Sequence, residues 1–577
     1  MLKQNEIINQ DNIPYLLLFI YPLLFIWQGL YVTDSGFFLS NYQLFFEDGN
    51  IRSVHVAWLT NVIGGIWWNL FGNLGVIGFK LLWVLMIWIG FYLAYRLLKP
   101  YTSKHLLGWA LFITLLAVTN RGGNWFNYNT MTSVLYMAGA WTLMEGLRQH
   151  SRSFLIASGF LLGISVFARL PNILAIGLAA IIVIHGILNN RSLRTLINDL
   201  LFFSLGVLIS SSVVLIAMEW LEHRQLFIEA VQHLFSQAKK ADYHHSGSGL
   251  LYLFIKDHIV AGIAGIACTL AIIGVSMLAN KLFQPKTGLW WLSIFGLAGI
   301  ATVAFLLWHG FWRWTIPGII YLVLIAYIFG VIKQSIEYRI LALIALGVLV
   351  LVPLGSGNGI YNAIHGMWIA LPIVLLFFMQ PTQPTVTIRN WKWPPESFNY
   401  AKVLVIVTLV LSSLTQAMSY TYRDSKNRLE MTATVEHPLL IGVLTTDERA
   451  SVMQELLDVL KKYVKPGDFI LAYEEISLIH FLTQTRPYLY HTWPMLEHPA
   501  SFKKLIEKAE IERPLLPVVV RAKASTSARY WPNNLDEGLE PYEPEISNRQ
   551  LAEDFLNRHQ YVKIWENLFF EILQPSH

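Results

Sequence analysis

The chain has 577 residues, of which 55% are hydrophobic and 14% are charged, and its formal net charge is +5. An average soluble domain carries about 25% charged residues, so this composition excludes an ordinary soluble enzyme and a disordered chain. The small net charge excludes a nucleic-acid binder with a basic face. The single cysteine, Cys268, excludes an internal disulfide framework and a thiolate zinc cluster.

The charged residues are distributed unevenly along the chain. Residues 1–421 hold 24 basic and 14 acidic residues, a net charge of +10, whereas residues 422–577 hold 18 basic and 23 acidic residues, a net charge of −5. The second part has 156 residues, which is enough to bury a core of its own. We therefore predict two domains, a multi-span transmembrane domain over 1–421 and a soluble α/β domain over 422–577.

Apolar runs follow one another through the first 421 residues. A helix that crosses the hydrocarbon layer needs about 20 mostly apolar residues, because every backbone polar group must be paired within the segment. Thirteen runs meet or approach this length: 14–33, 74–97, 105–119, 130–147, 153–168, 171–188, 199–219, 258–280, 289–308, 314–331, 339–354, 362–380 and 401–421. The expected fold class is an α-helical polytopic membrane protein with a small α/β domain at its C-terminus.

The distribution of Lys and Arg predicts the orientation of these spans. With a cytoplasmic N-terminus, 15 of the 24 basic residues of the first part fall in short inside segments and eight fall in outside segments. Positive residues favour the cytoplasmic side, so we expect an inner or plasma membrane protein with its N-terminus in the cytoplasm. An odd number of spans then places residues 422–577 on the extracytoplasmic side.

Two of the predicted outside segments, 34–73 and 220–257, are long, and the first is rich in tryptophan, which is typical of interfacial segments. Beyond residue 422, periodicity predicts helices over 447–463, 475–483 and 549–558 and strands over 469–471, 515–520 and 561–573. This part contains no glycine-rich phosphate loop, nucleophile elbow or metal-ligand spacing. We therefore assign it no chemistry of its own.

One acidic residue, Asp34, closes the first predicted span and is followed by Ser35-Gly36-Phe37-Phe38. A carboxylate at the outer end of an apolar helix is partly desolvated, which makes it a candidate general base. The alternative is an acid that ends the helix and meets water at the interface.

Four cations are expected outside, at the height of the lipid head groups: Arg169, Lys239, Lys240 and Arg313. Arg169, two residues before Pro171, lies almost at membrane depth. It is an exception to the preference of the other basic residues for the cytoplasmic segments. An anionic head group such as a polyprenyl phosphate requires cations at this height. The alternative is that these side chains reach ordinary phospholipid head groups.

A histidine pair, His244-His245, lies late in the second long outside segment. Neutral imidazole and a nearby carboxylate can bind a divalent metal ion, so His245 and Glu47 are candidate ligands and a divalent metal is a candidate cofactor. The alternative is a solvated pair, because neighbours in sequence rarely face the same point.

Amides and aromatic residues alternate in the outside segment 120–129, which contains Asn124, Trp125, Asn127 and Tyr128. Aromatic rings stack on sugar faces and amides hydrogen-bond to hydroxyls, so Asn124 and Asn127, together with Arg313, are candidate substrate ligands. The alternative is an aromatic belt at the interface with turn-forming Asn and Gly.

The arrangement resembles the GT-C membrane glycosyltransferases, in particular bacterial relatives of the protein O-mannosyltransferases and of the lipid A aminoarabinose transferase. Asp34-Ser35-Gly36-Phe37 is similar to the Asp-Glu or Asp-x-Gly motif that begins the family's first outer loop. The run from Gly163 to Pro171 looks like the family's turn with a Lys two residues before a Pro. The run from Tyr243 to Gly247, followed by Leu251-Tyr252, looks like its His-rich loop.

By this resemblance, a sugar moves from a polyprenyl-phosphate donor to a hydroxyl of a lipid, glycan or protein acceptor at the extracytoplasmic face, with inversion. Asp34 would act as the base or would orient the acceptor, and Arg169 with Lys239 or Lys240 would bind the phosphate. His245 would stand where some relatives bind a divalent ion. Ser35 departs from the family, because many members carry a second acid there. The alternative function is a lipid or polysaccharide transporter or flippase, which requires intramembrane charges and a pseudo-repeat.

Overall fold

The structure is a computed structural model that describes residues 10–47, 51, 55–119, 122–239, 246–282, 296, 299, 312–380, 387–388, 391–419, 421–425, 427–527, 531–535 and 543–576. Apart from residues 296 and 299, the predicted span 289–308 lies outside the described residues, and so do two predicted ligands, Lys240 and His245.

Helices dominate the N-terminal part of the chain. They are α1 (Ile13–Ile20), α2 (Asp34–Leu44), α3 (Trp58–Phe71), α4 (Gly75–Leu98), α5 (Lys104–Thr119), α6 (Tyr128–Gln149), α7 (Arg152–Ala168), α8 (Ala180–Leu188), α9 (Leu193–Trp220), α10 (Arg224–Ala238), α11 (Gly247–Leu282), α12 (Trp312–Ile328), α13 (Ile336–Leu351), α14 (Met367–Met379) and α15 (Pro395–Ser419). The 3₁₀ segments Leu170–Ala179 and Gly359–Gly366 lead directly into α8 and α14.

Six helical stretches of the described part are long and apolar enough to cross a membrane: Trp58–Tyr101, Leu170–Leu188, Leu193–Trp220, Gly247–Leu282, Gly359–Met379 and Pro395–Ser419. In each of Leu193–Trp220 and Gly247–Leu282, the protein buries only 22% of the 18 most apolar consecutive residues. Apolar surface exposed on this scale must be covered by lipid. The chain is therefore a multi-pass membrane protein, while the span number of thirteen and the side of each terminus stay predictions.

The first predicted span, 14–33, is wrong in its extent. Helix α1 ends at Ile20, the 3₁₀ turn Tyr21–Leu23 and further turn residues follow, and Gly29 N then donates to Leu444 O at 2.9 Å. Gly29 has a φ of +99°, which helical backbone does not allow. As a result, Asp34 begins α2 and does not end the first span.

The predicted outside segments contain helices of their own. Helices α2 and α3 occupy the first segment and pack against each other, and α10 occupies the second. Ile66, Leu70 and Phe71 of α3 are exposed, which fits a helix lying along the membrane surface.

The described residues after α15 form an α/β unit around a five-stranded sheet. Its strands are β5 (Phe469–Tyr473), β6 (Arg486–Pro487), β7 (Val518–Ala522), β8 (Tyr561–Glu566) and β9 (Phe570–Pro575), and its helices are α16 (Asp447–Tyr463), α17 (Leu478–Thr483), α18 (Pro499–Glu512) and α19 (Glu543–Arg558). The strand order is β6-β5-β7-β9-β8. Strand β5 pairs in parallel with β6 and β7, and β9 pairs antiparallel with β7 and β8.

The predicted helices and strands of this unit are found close to their expected places, with the segment 561–573 divided into β8 and β9. Helix α18 and strand β6 are additional elements that the periodicity did not indicate. Two short ribbons accompany the sheet, β1 (Thr387–Ile388) with β2 (Trp391–Lys392) and β3 (Ala433–Thr434) with β4 (Leu444–Thr445).

The α/β unit is docked on α2 by hydrogen bonds and close packing. Leu478 N donates to Val32 O at 3.0 Å, and the hydroxyls of Thr33 and Thr526 lie 2.8 Å apart. A Cβ at Gly36 would stand 2.1 Å from Leu478 N, so only glycine permits this approach. The unit is therefore fixed beside the helix that Asp34 begins.

Candidate active site

A cavity of about 140 Å³ lies where α2, the segment 122–129, the start of α6, the Gly359–Gly366 segment and the chain after α15 meet. Its wall carries the polar side chains of Asp34, Asn127, Asn129, Asn358, Asn362 and His365 and the rings of Phe38, Trp125, Tyr128, Tyr361, Trp368 and Tyr422. Sugar-binding sites combine these two kinds of group, because rings stack on sugar faces and amides pair with hydroxyls.

The carboxylate of Asp34 is held by two residues that follow the last transmembrane helix. Tyr422 Oη donates to Asp34 Oδ2 at 2.7 Å, and Arg423 Nη1 lies 3.1 Å from the same oxygen. Asp34 also begins α2, where the helix dipole favours a negative charge. These contacts orient the carboxylate on the cavity wall while about a quarter of its side chain stays exposed.

The chain segment that carries Tyr422 and Arg423 is anchored by the next residue, Asp424. Its carboxylate accepts hydrogen bonds from Leu30 N at 2.7 Å and from Thr445 Oγ1 at 3.1 Å, and it forms a fully buried ion pair with Arg449. Arg449 Nε also donates to Trp531 O at 2.7 Å. The α/β unit therefore determines where Tyr422 and Arg423 stand.

Arg169 lies directly behind the cavity wall. It follows the last residue of α7, its side chain is 8% exposed, and its guanidinium donates to Val352 O at 2.7 Å and to Leu354 O at 3.1 Å. Within the described part of the chain, no carboxylate lies at salt-bridge distance from it. Its charge therefore acts on the groups around it, and these include Tyr128 and His365 of the wall.

Tyr128 connects the two charged groups of the site. It lines the cavity together with Asp34, and the charges of Asp34 and Arg169 both act on its hydroxyl. A carboxylate and a buried cation around one polar and aromatic cavity can accept a proton at one point and stabilise an anion at another.

A buried carboxylate holds the Gly359–Gly366 segment that supplies Asn362 and His365 to the cavity. Asp257 of α11 accepts a hydrogen bond from Ile360 N at 2.9 Å and another from Trp314 Nε1 at 3.1 Å. Asp257 thus caps the start of the segment and links α11 and α12 to the site.

The structure brings together some of the residues that the sequence predicted and leaves others apart. Asp34 and Asn127 line the cavity, and Arg169 lies behind it. Asn127 is also the cap of α6, because its Oδ1 accepts hydrogen bonds from Asn129 N and Thr130 N. Asn124 is buried in the same segment but is not part of the cavity wall.

Three predicted ligands lie outside the cavity wall. Lys239 at the end of α10 and Glu47 after α2 are exposed, and Arg313 is exposed with its guanidinium stacked 3.8 Å above the ring of Trp314. Among the described residues, no three His, Cys, Asp or Glu side chains form a group that could hold a metal ion. The described part of the chain therefore offers no ready ligand set for the divalent metal that the sequence suggested.

Several residues of the site were not predicted, namely Tyr422, Arg423, Asn362 and His365. Tyr422 is 388 positions from Asp34 in the chain, and no spacing rule connects residues at such a distance. The sequence does contain one indication of these residues, the cluster Tyr422-Arg423-Asp424 directly after an apolar helix. Charged residues that directly follow a membrane helix lie either at the membrane interface or in a functional site.

No family model and no curated protein match this sequence. Among solved structures, ArnT from Cupriavidus metallidurans in the apo state is similar in chain path, with a TM-score of 0.46 and 10% identity over 97% of this chain and 98% of that chain. The structure of ArnT bound to undecaprenyl phosphate has the same TM-score and identity over 97% of each chain.

Because the TM-score is below 0.5, the chemistry proposed for the present protein rests on its own side chains.

Proposed function

We propose that this protein is a membrane glycosyltransferase that moves a sugar from a polyprenyl-phosphate donor to an acceptor hydroxyl. The observation that carries the proposal is the cavity with the Asp34 carboxylate on its wall and the buried Arg169 guanidinium behind it. Transfer from a lipid phosphate requires a base for the acceptor and a cation for the departing phosphate. The amides and rings of the wall supply contacts for the sugar.

The reaction is a single displacement. The acceptor oxygen bonds to the anomeric carbon while its proton passes to the carboxylate of Asp34, and the bond from the anomeric carbon to the phosphate oxygen breaks. The electron pair of that bond leaves with the lipid phosphate, whose negative charge Arg169 stabilises. Attack opposite to the leaving group inverts the anomeric configuration. A positioned base of this kind contributes about 10²–10⁴-fold to the rate.

Tyr422 and Arg423 have a positioning role in this scheme, because they hold the carboxylate and leave one of its oxygens for the acceptor. We expect Tyr422→Phe to lower the transfer rate about tenfold, since a hydrogen bond to a charged group contributes about 1.5 kcal/mol or more. The variant keeps the ring, so its protein level should match that of the wild type.

The first test replaces Asp34 by Asn in cells that depend on this chain for a glycolipid or glycan modification. Mass spectrometry of the envelope glycolipids should show the modified product with the wild type and its loss with Asp34→Asn at equal protein level. Glu219→Gln is the matched control, because this acid is exposed and pairs only with the exposed Arg224 in the described part. Normal product formation by Asp34→Asn would exclude Asp34 as the base.

The second test concerns the phosphate. Purified protein should bind undecaprenyl phosphate, and Arg169→Gln should weaken this binding at least tenfold, because a buried positive charge attracts the phosphate strongly where water is excluded. Arg224→Gln removes an exposed guanidinium and should leave the affinity unchanged. Equal affinity of the Arg169→Gln variant would remove the phosphate from the proposed site.

The alternative, a transporter or flippase, differs in its product. It would move a lipid across the bilayer without forming a glycosidic bond, so purified protein in vesicles would translocate the donor and yield no new glycoside. Retention of the anomeric configuration in a product would instead contradict the single displacement.

A further inference from the structure

A second pocket, of about 430 Å³, lies between the turn joining α6 to α7 and the start of α9. Helix α7 begins at Arg152, on this pocket, and ends next to Arg169, behind the cavity described above. Seventeen helical residues span about 25 Å. The pocket therefore lies at the other end of α7 from the candidate active site.

Basic side chains dominate the pocket. Arg191 is held in place, because its Nη1 lies 3.2 Å from Asp199 Oδ2 and its Nη2 lies 3.2 Å from His150 Nε2. Arg152 lies with its guanidinium 5.0 Å from the ring of Phe202, and no carboxylate of the described residues is within salt-bridge distance of it. Since Asp199 offsets only one of the two guanidinium groups, the pocket keeps a net positive charge.

The pocket is bordered by apolar surface that must face lipid. Leu193 and Leu201 of α9 are 72% and 60% exposed, and Ile187 of α8 is 64% exposed. Leu193 and Leu201 belong to Leu193–Trp220, in which protein covers only 22% of the most apolar stretch, and Ile187 belongs to Leu170–Leu188, in which protein covers 39%. Basic side chains directly at the end of such a surface stand at the level of the phosphate groups of the bilayer.

We propose that this pocket binds the phosphate of an anionic membrane lipid. Arg152 and Arg191 donate to the phosphate oxygens, which suit the planar guanidinium group. The hydroxyls of Ser192 and Thr195 line the same pocket and add donors. The acyl chains of the lipid lie on the exposed apolar surface of α9. A soluble phosphate shares the head-group chemistry but cannot use this surface.

The test uses the purified full chain in detergent, titrated with phosphatidylglycerol and observed by native mass spectrometry. We expect Arg152→Gln to weaken phosphatidylglycerol binding about fivefold, which corresponds to about 1 kcal/mol for one basic residue at the lipid surface. Arg152→Lys keeps the charge and should recover most of the affinity. Thermal unfolding of each variant checks that the fold is intact.

Lys333→Gln is the matched control, because Lys333 is exposed and lies at the same level as Arg152. Lys333 precedes α13, and the residue that follows the other end of α13, Val352, contacts Arg169. The control should bind phosphatidylglycerol as the wild type does. An equal loss in Lys333→Gln, or no loss in Arg152→Gln, would overturn the proposal. Displacement of the lipid by millimolar inorganic phosphate would assign the pocket to soluble phosphate and overturn the lipid assignment.

Discussion

Replacing Arg449 by Met should destabilise the protein strongly, because it leaves the carboxylate of Asp424 buried without its countercharge. The two side chains are 2% and 0% exposed. Removing one partner of a buried ion pair costs about 3–5 kcal/mol. For a unit of the size of residues 422–577, about 2–4 °C of Tm is lost per kcal/mol, so the expected decrease in Tm is about 6–20 °C.

The measurement is thermal unfolding of the purified protein in detergent, followed by tryptophan fluorescence. Lys461→Met is the control, since it breaks the ion pair with Asp458 in which both side chains are more than half exposed, and exposed pairs contribute little. Its Tm should stay near that of the wild type.

A double variant separates charge burial from general damage. Asp424→Leu combined with Arg449→Met leaves no buried charge and should recover part of the lost stability, although Leu30 N then lacks its acceptor. A Tm decrease below 2 °C for Arg449→Met, or a double variant less stable than the single one, would refute the reasoning. Because Asp424 anchors Tyr422, the single variant should also lose transfer activity below its Tm.

Gly36→Ala should detach the α/β unit from α2, because the new Cβ would stand 2.1 Å from the backbone of Leu478. Overpacking of this kind costs about 1–3 kcal/mol. Limited proteolysis should therefore cut the α/β unit faster in this variant than in the wild type. Burial opposes ionisation of Glu497, but the hydrogen bond from His233 and the charges of His491 and His233 hold its pKa below the ordinary value of 4.5. A carboxylate with a lowered pKa stabilises the fold above pH 4.5 and stops doing so as the pH falls through its folded pKa. Glu497→Gln should therefore lower Tm at pH 7, and its difference from the wild type should shrink below pH 4.5; a difference that does not change with pH would contradict this assignment.

Local patterns in the sequence were sufficient for most of the long apolar helices. The bounds of the apolar runs predicted those of helices α4, α5 and α7 within a few residues, because an apolar helix pairs its backbone within itself and depends little on the rest of the chain. The strands of the α/β unit followed in the same way from buried apolar runs between turn residues. Asp34 and Arg169 were identified because charge is rare in such surroundings.

Tertiary structure decided how these residues are combined. Asp34 proved to begin a helix, because the preceding chain leaves helical conformation to pair with Leu444. The residues that hold its carboxylate come from the far end of the membrane part, and their position depends on the buried pair of Asp424 and Arg449. Periodicity and composition describe neighbours along the chain, whereas such contacts arise only when distant segments pack, so no local pattern contains them.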